Sequence, residues 1–157
     1  MTAPSEIRVV DVYAYRAYAD GRAEWLLLRR APGRLYAGAW RMVGGKVEAG
    51  ESAHAAARRE LREETGRDAR RLWTIPSVNT FYEWQTDRVR IVPAFAAELE
   101  ADLDDGADVR LDGEHDAHVW LSAEDAAARL LWPEQARLLR LADACLARGL
   151  DPAWIVG

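Results

Sequence analysis

Four glutamates, Glu51, Glu60, Glu63 and Glu64, crowd into the stretch GESAHAAARRELREETG, with Arg59 among them. The run AAARRELREE is rich in strong helix formers. Ser52 is an N-cap residue type in the right place, and Gly66 can adopt the left-handed conformation that ends helices. Residues three and four apart on a helix share a face, which makes Glu60, Glu63 and Glu64 neighbours in space. Like charges at that spacing cost helix stability, so the cluster calls for a balancing charge. One reading is a solvated face balanced by Arg58, Arg59 and Arg62. The other is a site for a hard cation: Mg2+ takes oxygen ligands and commonly shares them with substrate phosphates. Gly44, Gly45 and Gly50, just ahead of the helix, permit tight turns and close approach of a ligand.

The spacing is that of a known signature. A glycine, five residues, a glutamate, seven residues, then Arg-Glu-apolar-x-Glu-Glu-x-Gly resembles the motif of the Nudix hydrolases. Gly45, Glu51, Arg59, Glu60, Leu61, Glu63, Glu64 and Gly66 fall on its fixed positions. One position departs, since the family prefers an apolar residue where this chain has Arg67; the expected consequence is altered local packing. Outside the signature, the phrases FYEW, EHDAHVWLS and LLWPEQ are similar to a subgroup that hydrolyses dATP or dihydroneopterin triphosphate.

The resemblance implies a set of roles. Glu60, Glu63 and Glu64 hold one to three divalent cations, Mg2+ with Mn2+ as a substitute, and the carbonyl of Gly45 adds an oxygen. Arg59 pairs with Glu51 and orients the helix against the preceding loop. Glu114, next to His115, is the expected extra ligand or general base from outside the signature; Asp112 and Asp116 beside it are expected to matter little. The activity implied is cleavage of a nucleoside or pterin triphosphate to monophosphate and pyrophosphate. Dinucleoside polyphosphates are the runner-up and ADP-ribose-type nucleotides rank lower, because Phe81 and Tyr82 stand where that group tends to carry proline. A nucleotide sensor without activity is disfavoured, because all the signature glutamates are present.

Other residues have a binding reading beside a structural one. Arg29 and Arg30 end a strand, and guanidinium forks suit phosphate oxygens. Trp40, Phe81 and Tyr82 are core or cross-strand partners, or else platforms on which a base stacks.

The elements that must position these residues follow from pattern. Residues 7 to 16 and 24 to 30 read as strands, and 39 to 48 as one or two short ones before the glutamate helix. A strand pair over about 70 to 84 and 88 to 99 turns at Gln85-Thr86-Asp87. Residues 100 to 108 read as an acidic loop, VRL at 109 to 111 as a short strand, and VWL as the last one. Ser122 caps a helix with Glu124 and Asp125 in its first turn. Pro133 opens another that runs to about Ala147 and stops at Gly149. Trp154 and Ile155 suggest that the tail docks. This order predicts an α/β protein, a Nudix-like α/β/α sandwich with a mixed sheet, as one domain over 1–157 with the signature at 45–67.

Composition sets the remaining limits. The chain has 157 residues, half of them hydrophobic (50%) and 30% charged, enough for a core and a wetted surface. A net charge of −5 argues against nonspecific nucleic-acid binding, though not against nucleotides whose phosphates a metal neutralises. Cys145 is the single cysteine, so no intramolecular disulfide forms. No apolar run is long enough to span a membrane, and MTAPSEIR lacks the basic head and apolar core of a secretory signal. The expected address is cytoplasmic and the expected partner a small nucleotide, with no nucleic acid and no membrane. Monomer and homodimer both stay open.

Overall fold

A computed structural model describes residues 7–101 and 108–157. The strands are β1 (Val9–Ala17), β2 (Ala23–Arg30), β3 (Trp40–Arg41), β4 (Val43–Lys46), β5 (Arg71–Glu83), β6 (Arg88–Leu99) and β7 (His115–Leu121). The helices are α1 (Ala53–Thr65), α2 (Ala123–Arg129) and α3 (Pro133–Arg148), followed by a short 3-10 turn at Pro152–Trp154. The strands form one sheet in the order β3-β2-β1-β6-β5, with β4 on β1 and β7 on β2. Only β1 and β6 run parallel among these pairs, so the sheet is mixed, as expected.

Alternation along the strands gives the sheet two apolar faces. Val10, Val12, Ala14, Leu26, Leu28 and Val43 pack with Ala56, Ala57 and Leu61 of α1. Tyr13, Tyr15, Trp25, Leu27 and Trp73 pack with Leu138, Leu139, Ala142 and Cys145 of α3. The result is helix, sheet and helix pair in three layers.

The sheet is irregular at its centre. β1 and β2 pair only from Tyr15–Trp25 to Ala17–Ala23 and then part. The short strands β3 and β4 fill the gap, Arg41 opposite Leu28 and Gly44 opposite Asp11. This wedge brings the glycines into the middle of the sheet, next to the N-terminal half of β1.

Local signals in the helices hold. The Ser52 hydroxyl accepts from the Ala55 N–H at 3.2 Å, and Gly66 has φ 72° with its N–H on the Arg62 carbonyl. The Ser122 hydroxyl accepts from the Asp125 N–H at 3.2 Å. The tail does dock: Ile155 bridges Trp73 in antiparallel fashion and the Val156 N–H donates to the Leu72 carbonyl. The expected strand at VRL does not form. Val109 and Leu111 turn toward the α1-side core, while the Arg110 N–H is taken by the carbonyl of Thr65 at the end of α1 (2.8 Å) rather than by a strand. The last strand begins earlier than VWL, at His115, because its whole length pairs with β2. Much of the acidic loop, and most of the N-terminal run MTAPSEIR, lie outside the described residues.

Candidate active site

Arg59 is the hub of the signature. Its Nε and Nη2 donate to the two oxygens of Glu51, each at 2.9 Å, in the bidentate fork that a planar guanidinium allows. Nη1 reaches Glu60 at 2.8 Å and Glu63 at 3.3 Å, and Nη2 also reaches the Lys46 carbonyl at 2.7 Å. One cation thus ties the loop before the helix to the helix and offsets two of its three crowded carboxylates. Those bonds hold the Glu51 carboxyl below its ordinary value. Arg59→Lys keeps the charge and loses the fork. We expect it to lower thermal stability by about 1.5–3 kcal/mol, the worth of a hydrogen bond to a charged group; an unchanged melting temperature would count against the hub.

Glu60 lies against the backbone. A Cβ at position 45 would sit 2.3 Å from the Glu60 carboxyl carbon, so a side chain there would push the Glu60 carboxylate out of place. Gly44 is a stricter requirement of space, since its Cβ would stand 2.6 Å from the Val10 backbone carbonyl. Burial raises the Glu60 pKa, with Arg59 opposing the rise.

Glu64 faces inward and is 3% exposed. Its carboxyl accepts only a long bond from the Gly44 N–H (3.4 Å) and has no ion pair with any described residue. Burial pushes its pKa up to about 9, with the positive charge of Arg41 opposing. Oxygens of Glu64 and Asp112 and a ring nitrogen of His115 all lie within 4.8 Å of one another. Asp112 Oδ1 stands 3.0 Å from His115 Nδ1 and accepts from the Glu114 N–H at 3.2 Å. His115 Nε2 is buried without a hydrogen-bond partner, and burial lowers the His115 pKa. A buried carboxyl, a half-buried carboxylate and a buried imidazole this close together are a donor set that fits a divalent cation.

Glu114 itself is more open. Its carboxylate stands 3.7 Å from Arg30 and 3.9 Å from Arg34, and its negative charge is felt at Glu60. Arg30 therefore lies beside the acidic cluster, its Nε on the Leu35 carbonyl (3.2 Å). Arg29 is one strand position away, paired with Asp116 at 2.8 Å and poised over the Trp40 ring. Trp40 is half-buried against the α3-side core, with Arg129 also over its ring. Phe81 and Tyr82 are exposed on the part of the β5–β6 hairpin that runs past the end of β1, and the Tyr82 hydroxyl bonds Asp87 at 2.7 Å. The structure therefore groups Arg30 with the acidic residues, while Phe81 and Tyr82 are exposed on the β5–β6 hairpin.

A second polar group carries no motif in the sequence. Asp11, 5% exposed, points to the α3 side of β1. The Asn79 side chain donates to its Oδ2 at 3.3 Å. Burial raises its pKa, opposed by Arg41, Asn79 and Gln135 in that order. The Tyr13 hydroxyl, on the same face, is buried without a partner. A Cβ at Gly44 would stand 3.4 Å from both Asp11 Oδ1 and Arg41 Nη2, while the Gly44 N–H faces Glu64. The two groups thus meet across one glycine and share the charge of Arg41. The one sequence signal for this group is a lone carboxylate in the otherwise apolar run VVDVYAY.

The Nudix domain model matches residues 8–142. The chain belongs to the Nudix family. Among its relatives, an octanoyltransferase of Myxococcus xanthus is 37% identical over an alignment of 138 residues that covers 82% of this chain. The chain spans about a third of that relative, 34% of its length. The CTP pyrophosphohydrolase of Escherichia coli (strain K12) is 34% identical over 134 residues, covering 85% of this chain and 90% of that one. Among solved structures, a binary complex of the C. elegans Ap4A hydrolase superposes with a TM-score of 0.71 at 28% identity, covering 91% of this chain and 99% of the other. Nudix enzymes generally work with a divalent metal, and the cluster of Glu64, Asp112 and His115 could bind one. No helix among the described residues is long and apolar enough to cross a membrane.

Proposed function

We propose that the protein is a Mg2+- or Mn2+-dependent pyrophosphohydrolase that cuts a nucleoside or pterin triphosphate to monophosphate and pyrophosphate. The observation that carries this reading is the junction at Gly44, where the acidic cluster around Glu64 and the buried polar group around Asp11 stand back to back. Such a junction suits one molecule with phosphates at one end and a heterocycle at the other.

Glu60, Glu63 and Glu64, with the Gly45 carbonyl and Glu114, would hold the cation or cations, and Asp112 and His115 lie close enough to join them. A divalent cation there supplies charge to offset phosphate oxygens and makes water more acidic. Arg30 and Arg34, held near Glu114, meet the outer phosphates. Glu114 takes the proton of the attacking water, which its openness to solvent allows. At the other end the Asp11 carboxylate accepts from an exocyclic amine, and Arg41 donates to a ring nitrogen or carbonyl. That pattern favours bases bearing an amine, as cytosine, adenine and pterin do, over uracil and thymine. The likeness to a CTP pyrophosphohydrolase supports the same choice.

A second reading has an observation of its own. Tyr36, at φ 57°, stacks edge-on with Trp132 at 5.7 Å, and both rings are about half exposed. Such an aromatic pair offers a platform to a second base, and the Ap4A hydrolase likeness favours a dinucleoside polyphosphate.

A panel of nucleotides with Mg2+, read out as pyrophosphate and orthophosphate, tests both readings. Release of pyrophosphate from CTP, dATP or dihydroneopterin triphosphate is the expected result. Orthophosphate alone from every triphosphate contradicts it, and cleavage confined to dinucleoside polyphosphates selects the second reading. Asp11→Asn should reduce the preference for amine-bearing over keto bases by about 10-fold or more, since a good bidentate pair is worth about 1–3 kcal/mol of discrimination. An unchanged preference would remove Asp11 from base reading.

A further inference from the structure

Arg67 occupies the signature position where an apolar residue is the family's preference, and the structure shows what its guanidinium does instead. The side chain is 10% exposed. Nη2 donates to the Glu100 carbonyl at 2.9 Å, just past the end of β6. Nη1 donates to the Asp108 carbonyl at 3.2 Å and stands 3.5 Å from Asp108 Oδ1. The other Asp108 oxygen meets Arg16 at 3.6 Å, His118 at 3.7 Å and the Trp120 indole N–H. Asp108 is therefore gripped from two sides, by the end of α1 and by the sheet.

Asp108 begins the irregular run that leads to Asp112, Glu114 and His115. Residues 109–114 belong to no strand. The far end of the run is held by the Ala31 N–H on the Glu114 carbonyl (2.9 Å), and Val109 and Leu111 pack into the α1-side core. Its near end is held at the end of α1, by the Arg110 N–H on the Thr65 carbonyl and by Arg67 on Glu100 and Asp108. The run then reaches Asp112, which bonds the Glu114 N–H and the His115 ring and stands within 4.8 Å of Glu64. An apolar residue at 67 could fill the space but could not hold two carbonyls and a carboxylate.

We infer that Arg67 is a positioning residue: by tying Glu100 to Asp108 it fixes the 108–114 run, and with it Asp112 and Glu114, against the glutamates of α1. Residues that orient ligands from behind typically account for about 10- to 100-fold in metal affinity or activity. The kinetic part of this inference rests on the pyrophosphohydrolase reading, but the binding part does not.

The test compares wild type with Arg67→Met and Arg67→Lys, and uses Arg62→Met as a control that loses only the exposed pair with Asp68. Direct Mn2+ titration by calorimetry, kcat and KM for the best triphosphate, and thermal melts are measured on each. Arg67→Met should weaken Mn2+ binding about 10-fold and lower kcat about 10- to 100-fold with KM nearly unchanged. Arg67→Lys, which retains a cationic donor, should recover part of both, and Arg62→Met should match wild type. If Arg67→Met melts lower but keeps wild-type Mn2+ affinity and kcat, the residue serves the fold alone and the inference is overturned. Weakened Mn2+ binding in a protein that cuts no triphosphate upholds the inference and overturns the substrate reading. Should Arg67→Met fail to fold, Arg67→Gln takes its place under the same criteria.

Discussion

Glu64→Gln is expected to lose about 10²–10⁴-fold in turnover, the range that accompanies loss of a positioned acid–base group, while the metal-free fold is unharmed. Both halves follow from burial. Glu64 is the most buried carboxyl of the cluster, and its pKa near 9 means that the metal-free protein carries it protonated at neutral pH. Glutamine has the shape of that neutral form and can still accept from the Gly44 N–H. At pH 9 the variant should even melt above wild type, because only wild type must then bury a charge. Glu63→Gln should also lose most turnover, but with no such stability effect, since Glu63 is about half exposed and its ion pair is with Arg59. Kinetics at saturating Mg2+, together with melts at pH 6 and pH 9, decide the matter. Normal turnover in the Glu64 variant would remove the residue from the mechanism, and a lower melting temperature at pH 9 would show that the buried group is not the neutral acid.

The metal itself should stabilise the fold, and by more at higher pH. The folded state prefers the neutral Glu64 carboxyl. That contribution is complete below the ordinary carboxyl value of 4.5 and is lost as pH rises through about 9. A cation needs the ionised form, so binding displaces a proton and apparent affinity climbs with pH until that range is passed. At a cation concentration 100 times the dissociation constant the gain is about 2.7 kcal/mol, roughly 5–10 °C for a chain of this size. Melts across a Mg2+ or Mn2+ titration at pH 6, 7.5 and 9 give the comparison. A shift that does not grow with pH would mean that no proton is displaced, and no shift at any pH would argue against a preformed site.

The helix of the signature is legible in the sequence because its cues are local. Ser52, Gly66 and the Arg59–Glu51 pair lie on one short stretch, and their spacing fixes their contacts. The three-layer fold is legible for a similar reason, since alternation in β1 and β2 assigns each residue to a face. The buried polar group around Asp11 is not. Asp11 meets Arg41, Asn79 and Gln135, which come from three separate elements that only the sheet and α3 bring together. The segment at 109–111 misleads for the opposite reason: its β-branched and apolar residues fit a strand, but tertiary contact with Thr65 decides its course. By sequence, Asp112 is a bystander to Glu114. Its place beside Glu64 and His115 depends on that same irregular course.

The docking of the C-terminal tail has a consequence for solubility. β5 is the outermost strand, and its outward N–H and C=O groups offer a template on which another chain can pair. Ile155 covers that edge at Trp73 and Val156 covers it at Leu72, the stretch where β5 is most apolar. Further along, Pro76 and the register shift between Thr74 and Val78 break the regular ladder. The last few residues therefore act as a guard strip. A chain trimmed before Pro152 would keep every residue of the acidic cluster, yet it would present an unprotected β-edge and be prone to aggregate through it.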